Sequence, residues 1–497
     1  MNSAKIGLVV LLVVLVALCG LLFLQGGRRG EPVERLVLHC AAGMRAPVAE
    51  IVENYEKEFG TKINVSYDGS GSLASKIKVA GGDLYLPADI SYIDSLRDEG
   101  YVDESIPVAE LTAGIAVRRG NPQNIKTLAD LQRADVKVSL GESSAAIGKL
   151  TQKVLSDLGQ WEAIKRNVTV FKPTVNNVAE DVELSAVDAG IVWDSMIHLY
   201  DNVEFISVHE FEQHRRRATI GVLSSTIDAT AALQFARYLT AEDRGLQVFR
   251  NHGFNVVDGD KWVRVPEITF FSGSMLRPAI NDQLEEFQNR EGVRINVVFE
   301  GCGTLVSQME AGARPDGYFS CDARFLDMVR DRFEPPSIVT RNDVVLLVPK
   351  GNPDNFQSLQ DLSRPDVRVG VAHPEKSALG FLTRSMLERL ELWEPIEQAG
   401  NIVVLASKGD ELVNQMQVGS LDAAILYRSN AMASPQIMEH CEIIEMNGTD
   451  AFAEQLYAVS RNSDHKQLMH RLQESLTGPA GKQAFLKYGF HWQLNDE

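Results

Sequence analysis

The segment Ile63-Asn-Val-Ser-Tyr-Asp-Gly-Ser-Gly-Ser-Leu73 recurs 232 residues later as Ile295-Asn-Val-Val-Phe-Glu-Gly-Cys-Gly-Thr-Leu305. Each copy has a short apolar run with β-branched residues and then a glycine-rich turn, which is typical of a strand that leads into a helix. The spacing is far too long for a solenoid repeat, so each copy predicts a separate folded module.

Further matches extend the repeat along the chain, at an offset that drifts only from 231 to 236 residues. They pair residues 38–47 with 269–278, 120–122 with 351–353, Trp161 with Trp393, 188–189 with 422–423, and 252–254 with 488–490. Because the matches keep one order, we infer a duplication. We divide the chain into an N-terminal anchor or signal with its tether (1–34), module 1 (35–262) and module 2 (263–497), joined near the turn residues 258–260.

The composition limits the classes of partner. The 497 residues carry 49 basic and 67 acidic side chains, for a formal net charge of −18. A chain of this length exceeds what one hydrophobic core organises, which agrees with two modules. An acidic chain without a long basic run lacks the electrostatic footprint of a nucleic-acid-binding protein, so we predict no nucleic-acid partner.

The N-terminus contains a candidate membrane segment. Residues 6–24 form a run of 19 residues without a charged side chain. A helix of this length, at about 1.5 Å per residue, crosses a hydrocarbon core of roughly 30 Å. The run is longer than the apolar core of a typical signal peptide, about 7–15 residues, so we favour an uncleaved single-pass anchor. A long cleaved signal peptide is the alternative.

Neither the cysteines nor any common cofactor motif indicates a metal site or a bound cofactor. The five cysteines, at positions 19, 40, 302, 321 and 441, are too few and too scattered for a disulfide scaffold. The sequence has no CxxC pair, no GxxxxGK[ST] loop and no HExxH motif. We therefore predict neither a metal site nor a bound cofactor.

Strand and helix patterns alternate within each module. In module 1 they predict strands at 35–40, 63–67, 111–117 and 136–140, and helices at 48–59, at 73–80 and from Ile147. In module 2 they predict strands at 344–348 and 367–371, and a helix from Leu379. The alternation predicts an α/β fold with a mostly parallel sheet covered by helices, in which ligands lie beyond the carboxyl ends of the strands.

Two strand-to-helix turns of module 2 have the residues of an anion site. They are Phe271-Ser-Gly-Ser-Met275 and Glu300-Gly-Cys-Gly-Thr-Leu305. Glycine lets the backbone approach a ligand, free amides at a helix start attract anions, and Ser and Thr hydroxyls add neutral donors. The alternative is that these residues are ordinary helix N-caps. Recurrence of both turns in the two modules favours the binding hypothesis.

At this point the sequence resembles the type II solute-binding receptors of ABC importers, most closely the molybdate- and tungstate-binding branch. The resemblance covers essentially everything after residue 34, once per module. In module 2 its landmarks are Ser274, Cys302-Gly303, Cys321-Asp322, Gly351-Asn-Pro353, Asp422-Ala-Ala-Ile-Leu-Tyr427 and Tyr488-Gly-Phe490.

The resemblance implies two α/β lobes per module, joined by crossing strands and closing around a tetrahedral oxyanion, most closely molybdate or tungstate. It implies transfer to an ABC importer permease on the periplasmic side of the bacterial inner membrane, or secretion to the periplasm if the N-terminal segment is cleaved. Carried over by position, the ligand-binding residues of module 2 are Ser274, Cys302 in place of a second serine, Gly303, Thr304, Ala378, Leu379, Gly409 and Tyr427. We expect module 2 to be the binder and expect no enzymatic activity.

Module 1 departs further from the family pattern. Gly43 stands where the loop serine is expected, and Trp193 replaces the tyrosine. The residues left at the corresponding positions are Ser70, Ser72, Val175 and Asn176. We expect module 1 either to bind a less hydrogen-bond-demanding ligand or to have become a structural or signalling platform.

Two other functions stay open at the level of sequence. Cys302 and His373 each follow a strand in opposite lobes, so they could act as nucleophile and base of an enzyme. The N-terminal anchor also permits a sensor ectodomain with a degenerate module 1, for which the basic residues 215–217 would mark a partner site, although a solvated charge run is the commoner explanation.

Overall fold

The computed structural model describes residues 35–446 and 451–493. The predicted anchor at residues 6–24 lies outside these ranges. Within them, no helix is both long enough and apolar enough to cross a membrane.

Module 1 contains eleven strands among its described residues. They are β1 (Arg35–Ala41), β2 (Lys62–Asp68), β3 (Leu84–Leu86), β4 (Val102–Leu111), β5 (Ala113–Arg118), β6 (Val138–Gly141), β7 (Val168–Lys172), β8 (Ala189–Trp193), β9 (Val203–Ser207), β10 (Arg216–Leu223) and β11 (Asn255–Val256). They form a six-stranded sheet, β11-β4-β10-β3-β1-β2, and a five-stranded sheet, β7-β6-β8-β5-β9. Each sheet is the centre of one lobe.

Helices connect these strands. They are α1 (Arg45–Phe59), α2 (Ser70–Ala80), α3 (Ser91–Asp98), α4 (Ala146–Asp157), α5 (Trp161–Lys165), α6 (Val175–Glu183), α7 (His209–Glu212), α8 (Ala229–Leu239) and α9 (Gly245–Asn251). Short 3-10 helices lie at Ala42–Met44, Leu128–Gln132 and Asp194–Leu199. The strand-helix alternation follows the sequence pattern, and the helix expected from Ile147 begins at Ala146.

Module 2 repeats this plan. Its strands are β12 (Glu267–Gly273), β13 (Arg294–Glu300), β14 (Gly317–Ser320), β15 (Ser337–Pro349), β16 (Val369–Ala372), β17 (Ile402–Ala406), β18 (Ala423–Tyr427), β19 (Cys441–Ile444), β20 (Phe452–Val459) and β21 (His491–Trp492). Its helices are α10 (Arg277–Glu291), α11 (Cys302–Glu310), α12 (Ala323–Asp327), α13 (Ala378–Arg389), α14 (Trp393–Gln398), α15 (Gly409–Gln417), α16 (Arg428–Met432), α17 (Pro435–His440), α18 (Lys466–Thr477) and α19 (Pro479–Lys487). Short 3-10 helices lie at Ser274–Leu276, Arg330–Arg332 and Leu359–Ser363.

The two modules differ in the connection between their lobes. In module 1, β4 ends at Leu111 in one sheet and β5 begins at Ala113 in the other. In module 2, β15 is one long strand that pairs with β20 and β21 in the first lobe and with β18 and β19 in the second. This continuous strand makes the lobe sheets of module 2 one ten-stranded sheet.

The expectation of a mostly parallel sheet is wrong in detail. In module 1, β1 is parallel to β2 and β3, but β10 runs antiparallel to both β3 and β4. In the second lobe, β5 is antiparallel to β8 and β9. All of these antiparallel pairs involve β4, β5 or β10, the strands at which the chain leaves one lobe or enters the other. These strands are not part of a strand–helix–strand crossover, which a parallel pair requires.

Each module has its own hydrophobic core. The buried apolar side chains of module 2 form one cluster, and those of module 1 form a main cluster and a smaller one near β3 and α3. Both cores consist of strand residues covered by the inner faces of the helices, so each module buries a core without contributions from the other.

A buried ion cluster joins the modules. The Glu291 carboxylate at the end of α10 accepts hydrogen bonds from Arg237 of α8, 2.7 Å away, and from Arg471 of α18, also at 2.7 Å. Burial alone would raise the pKa of Glu291, but the two guanidinium groups outweigh it and hold that pKa below its usual range. Because Arg237 belongs to module 1, and Glu291 and Arg471 belong to module 2, the Arg237–Glu291 ion pair links the first lobes of the two modules.

Candidate functional site

Three strand ends of the first lobe of module 2 meet at one edge of its sheet. β12 leads into the 3-10 helix that starts at Ser274, and β13 leads through Gly301 into α11, which starts at Cys302. β14 leads to Asp322, whose carboxylate caps α12 by accepting from the Arg324 amide over 2.9 Å. The predicted residues Ser274, Cys302 and Gly303 are all buried, and Thr304 is partly buried in the first turn of α11.

The second lobe contributes three further helix starts. α13 begins at Ala378 and Leu379, α15 begins at Gly409, and β18 ends at Tyr427 directly before α16. The first amides of a helix have no partner inside the helix, so these starts present free N–H donors. The structure therefore places the predicted backbone donors of module 2 at helix N-termini.

The two lobes of module 2 are closed on each other. The carbonyl oxygen of Lys376 in the second lobe lies only 2.8 Å from the place where a side chain on Gly301 would begin. Across the rim, the Arg324 guanidinium stacks 3.4 Å over the Phe381 ring. Lys408 lies 3.5 Å from Glu300 on the opposite lobe. Only glycine fits the loop at this closure, which explains its glycine-rich sequence.

Tyr427 has a buried and unpartnered hydroxyl. Its side chain is only 3% exposed, and its hydroxyl has no hydrogen-bond partner among the described residues. Burial raises the pKa of Tyr427 well above its ordinary value, and the nearby Asp322 carboxylate adds to the shift. The hydroxyl is thus protonated and able to donate a hydrogen bond at any physiological pH.

Three polar residues beside Tyr427 were missed by the sequence analysis. The Asn430 side chain, 4% exposed, donates from Nδ2 to the Asp410 carboxylate over 2.9 Å, while its Oδ1 has no partner among the described residues. The buried Ser429 hydroxyl also lacks a partner there. A side chain on Gly409 would begin 2.3 Å from Asn430 Oδ1, so the amide occupies the space in front of Gly409. No motif identifies these residues.

The prediction that Cys302 supplies a thiol is wrong. Cys302 forms a disulfide with Cys321, which ties the loop after β13 to the loop after β14. A disulfide sulfur has no hydrogen to donate, and Cys302 instead accepts from the Cys321 amide over 3.0 Å. The same bond excludes Cys302 as the nucleophile of a Cys–His pair with His373. The spacing of 19 residues gave no indication that these two loops lie side by side.

The acidic rim of the cleft is partly desolvated. Burial raises the pKa of the Asp322 carboxyl above its ordinary value, although its hydrogen bond from the Arg324 amide and the Arg324 charge oppose the shift.

No group of three or more potential metal ligands lies together among the residues that the structure describes.

The corresponding site of module 1 is lined with apolar side chains. A side chain on Gly43 would begin 3.0 Å from Val175, 3.4 Å from the Met196 sulfur and 3.8 Å from Trp193. These four positions correspond to Ser274, Gly409, Asn430 and Tyr427 of module 2. The cavity that remains is about 20 Å³. That volume is enough for about one water molecule.

The lobes of module 1 are also closed by a direct bond. The Gly71 amide of the first lobe donates to the Ser144 carbonyl of the second over 2.7 Å. The Lys149 ammonium lies 4.7 Å over the Tyr92 ring across the rim. This pair is reversed relative to module 2, in which the cation is on the first lobe and the ring on the second.

The remaining predicted residues of module 1 lie at or beside helix starts, and among them Asn176 has a buried Oδ1 without a hydrogen-bond partner among the described residues. Ser70 begins α2 and accepts from the Ala88 amide over 3.2 Å, and Ser72 is partly buried in the same turn. Val175 begins α6, where Asn176 follows it, and Trp193 is 2% exposed beside the small cavity. The contacts of Ser70 and Trp193 favour a packing role for these two residues.

The basic residues 215–217 are not a free patch. Arg215 and Arg217 pair with Glu110 at 3.5 Å and 3.6 Å, and Arg216 pairs with Asp89 at 2.9 Å. All three charges thus have partners within module 1.

Comparison with known proteins identifies the architecture. The model of the family described as bacterial extracellular solute-binding protein matches residues 36–255 and again residues 268–491. The chain belongs to this family. It therefore contains two solute-binding modules in tandem, and the resemblance inferred from the sequence landmarks is confirmed.

Curated relatives within the family match one module's length of this chain. The Molybdate-binding protein ModA of Escherichia coli is 25% identical over 246 residues, which cover 45% of this chain and 88% of that protein. The protein of the same name from Mycobacterium tuberculosis is 24% identical over 229 residues, which cover 45% of this chain and 84% of that protein.

Solved structures of solute-binding proteins also match. The periplasmic molybdate-binding protein of Azotobacter vinelandii aligns with a TM-score of 0.40 at 15% identity, covering 45% of this chain and all of that one. The sulfate-binding protein SubI of Mycobacterium tuberculosis aligns with a TM-score of 0.40 at 17% identity, covering 45% of this chain and 87% of that one.

Proposed function

We propose that this chain is an extracytoplasmic receptor that captures a tetrahedral oxyanion, molybdate or tungstate, in module 2 and delivers it to an ABC-type importer. Family membership supports solute binding, and the relatives named as molybdate-binding proteins support this class of ligand. The segment 1–34 would hold the receptor at the periplasmic face of the inner membrane, or would direct its secretion to the periplasm.

The observation that carries this proposal is the unpartnered hydroxyl of Tyr427. A buried hydroxyl without a hydrogen bond is costly, so native proteins nearly always give such a group a partner. Ser274 and the amides at the start of α13 and α15 lie around the same cleft and are donors as well. An anion with several acceptor oxygens satisfies all of them together.

This arrangement explains how an acidic protein binds an anion. Neutral hydroxyls and helix N-termini direct partial positive charge at the ligand, so the site does not depend on the net charge of −18. The disulfide leaves the first lobe with Ser274 and Thr304 as the hydroxyl donors among the predicted residues, since Cys302 has no hydrogen to donate.

Module 1 is proposed to bind no oxyanion. Gly43 and Trp193 replace two of the hydroxyl-bearing residues, and the apolar side chains of Val175 and Met196 lie 3.0 Å and 3.4 Å from the side-chain position of Gly43. We propose that module 1 is a structural unit, held closed by the bond between Gly71 and Ser144.

The test is a calorimetric titration of the full chain with molybdate, tungstate, sulfate and phosphate. The proposal predicts binding of at least one of the four, with Tyr427→Phe weakening it by about 10- to 100-fold because a hydrogen bond to a charged group is lost. Ser70→Ala in module 1 is the matched control and is expected to leave the affinity unchanged. Folded protein that binds none of the four anions would contradict the proposal.

A further inference from the structure

The Asp410–Asn430 pair at the start of α15 fixes the direction of one side-chain amide. An ionised carboxylate only accepts hydrogen bonds, so Asn430 turns its NH₂ group toward Asp410, 2.9 Å away. Its carbonyl oxygen then faces the other way, buried and without a partner among the described residues. The orientation is set by Asp410 and not by the rest of the cleft.

That carbonyl oxygen lies at the candidate site. It is the atom nearest to the position where a side chain on Gly409 would begin, at 2.3 Å. In module 1 the residue that corresponds to Gly409 is Val175, whose Cγ1 lies 3.0 Å from the side-chain position of Gly43. Because Gly43 corresponds to Ser274, this correspondence puts the Asn430 amide on the side of Gly409 that faces Ser274.

A hydrogen-bond acceptor such as Asn430 Oδ1 repels a proton-free oxyanion, because all oxygens of that ligand are also acceptors. Molybdate, tungstate and sulfate carry no proton near neutral pH, so each of their oxygens faces Asn430 Oδ1 with like partial charge. A hydrogen has to lie between the oxygens, or the amide has to turn. Turning the amide would place Oδ1 against the Asp410 carboxylate, which is equally unfavourable unless that carboxyl is protonated.

We propose that module 2 binds a proton-free oxyanion together with one proton, which Asp410 takes up from the solvent. The protonated Asp410 carboxyl donates to Asn430 Oδ1, the amide turns, and Asn430 Nδ2 donates to an oxygen of the bound anion. One proton leaves the solvent and stays on Asp410, and no other bond is made or broken. This inference rests on the proposed function and adds the proton linkage of the same site.

The surroundings of Asp410 favour proton uptake. Burial raises the pKa of its carboxyl above the ordinary value, opposed by the hydrogen bond from Asn430 and by the charges of Arg277 and Lys408, while Glu411 adds to the rise. The strands that pack against α15, β16 to β18, carry no charged side chain. On the neighbouring helices, Arg428 of α16 pairs with Glu445, and Glu439 and His440 of α17 are exposed. An arriving dianion would raise the pKa of Asp410 further.

Module 1 lacks both members of the pair. Asn176 stands at the position of Asp410, and Met196 stands at the position of Asn430. The pair is thus present in the module that keeps Tyr427 and Ser274 and absent from the module whose site is filled with apolar side chains.

The experiment measures proton uptake and the pH dependence of affinity for the full chain. Titrations with molybdate and sulfate at about pH 6 to 8, in buffers of different ionisation enthalpy, are expected to show about one proton taken up per anion bound. Above the pKa of Asp410 in the free protein, the affinity should fall about tenfold per pH unit. Hydrogen phosphate brings its own donor to Asn430 Oδ1, so above about pH 7.5 any binding of it should be without proton uptake.

Asp410→Asn distinguishes this linkage from a general charge effect. The new amide donates to Asn430 Oδ1 without a proton, so proton uptake should vanish and the affinity for molybdate should stay constant across the pH range. Thermal unfolding of the variant checks that it folds. Wild-type binding without proton uptake, or an unchanged pH slope in Asp410→Asn, would overturn the inference and leave the proposed function intact. Absence of binding by both proteins at every pH would overturn both.

Discussion

Modules 1 and 2 have the same fold but differ in the polarity of the side chains that line their clefts. Module 1 has Gly43, Val175, Trp193 and Met196, which pack together and leave a cavity of about 20 Å³. The same positions of module 2 hold Ser274, Gly409, Tyr427 and Asn430, with buried polar atoms of Tyr427 and Asn430 that have no partner among the described residues.

These four positions separate a cleft lined with apolar side chains from a cleft that keeps buried polar atoms without partners among the described residues. Where Trp193 and Val175 fill the space, the closed state is stabilised by the protein itself. Where Tyr427 and Gly409 stand, the closed state contains buried donors whose hydrogen bonds must come from a ligand. We therefore propose that a ligand adds to the stability of the closed state of module 2, and that module 1 closes without one.

The largest effect is expected from exchanging the four residues. Module 2 carrying Ser274→Gly, Gly409→Val, Tyr427→Trp and Asn430→Met should bind oxyanions at least about 100-fold more weakly, since two or more charge-assisted hydrogen bonds, each about 1.5–3 kcal/mol, are lost. Calorimetry measures the affinity. The exchanged set packs in module 1, so the variant should fold, and thermal unfolding checks this. An affinity within tenfold of wild type would refute the comparison.

Trp193→Ala tests the packed module. Removing this buried ring should lower the free energy of unfolding by about 3–5 kcal/mol, because a cavity replaces a large apolar side chain. Denaturant unfolding measures the loss, and oxyanion affinity should not change because Tyr427 and its neighbours are untouched. A protein of normal stability that has lost oxyanion binding would instead make Trp193 a ligand contact.

A smaller effect is expected from replacing the disulfide with the pair found in module 1. Cys302→Ser with Cys321→Ala reproduces Ser70 and Ala88. The change opens a covalent loop of 19 residues, at a cost of about 3 kcal/mol of stability. It also restores a serine hydroxyl at the start of α11, which should strengthen oxyanion binding about fivefold for a net gain near 1 kcal/mol. Weaker binding by this variant would mean that the disulfide itself shapes the site.

The sequence predicted the architecture well because its signals are local or repeated. The duplication follows from ordered matches, and the strands and helices follow from periodicity and from glycine-rich turns such as 69–72. The placement of Ala378 and Gly409 at helix starts also follows, because both come directly after a strand and its turn. The direction of a strand relative to a distant partner strand leaves no local signal in the sequence. The antiparallel pairing of β10 was therefore missed.

The details of the site depend on contacts between distant segments. Nothing in the spacing of Cys302 and Cys321 reveals that their loops touch, so a disulfide was taken for a thiol. Asn430 and Asp410 look like ordinary polar residues until Asn430 is found packed against Gly409. The filling of the module 1 cleft depends on three-dimensional contacts of Val175 and Met196, of which the sequence showed only the change at Gly43 and Trp193.

The most direct test is the number of oxyanions bound per full chain at saturation, measured by equilibrium dialysis with tungstate or molybdate followed by metal analysis. One anion per chain, lost in the four-residue exchange of module 2, is the result that this account predicts. Two anions per chain, or one that persists after the exchange, would show that module 1 binds ligand and would contradict the assignment of packing to one cleft and binding to the other.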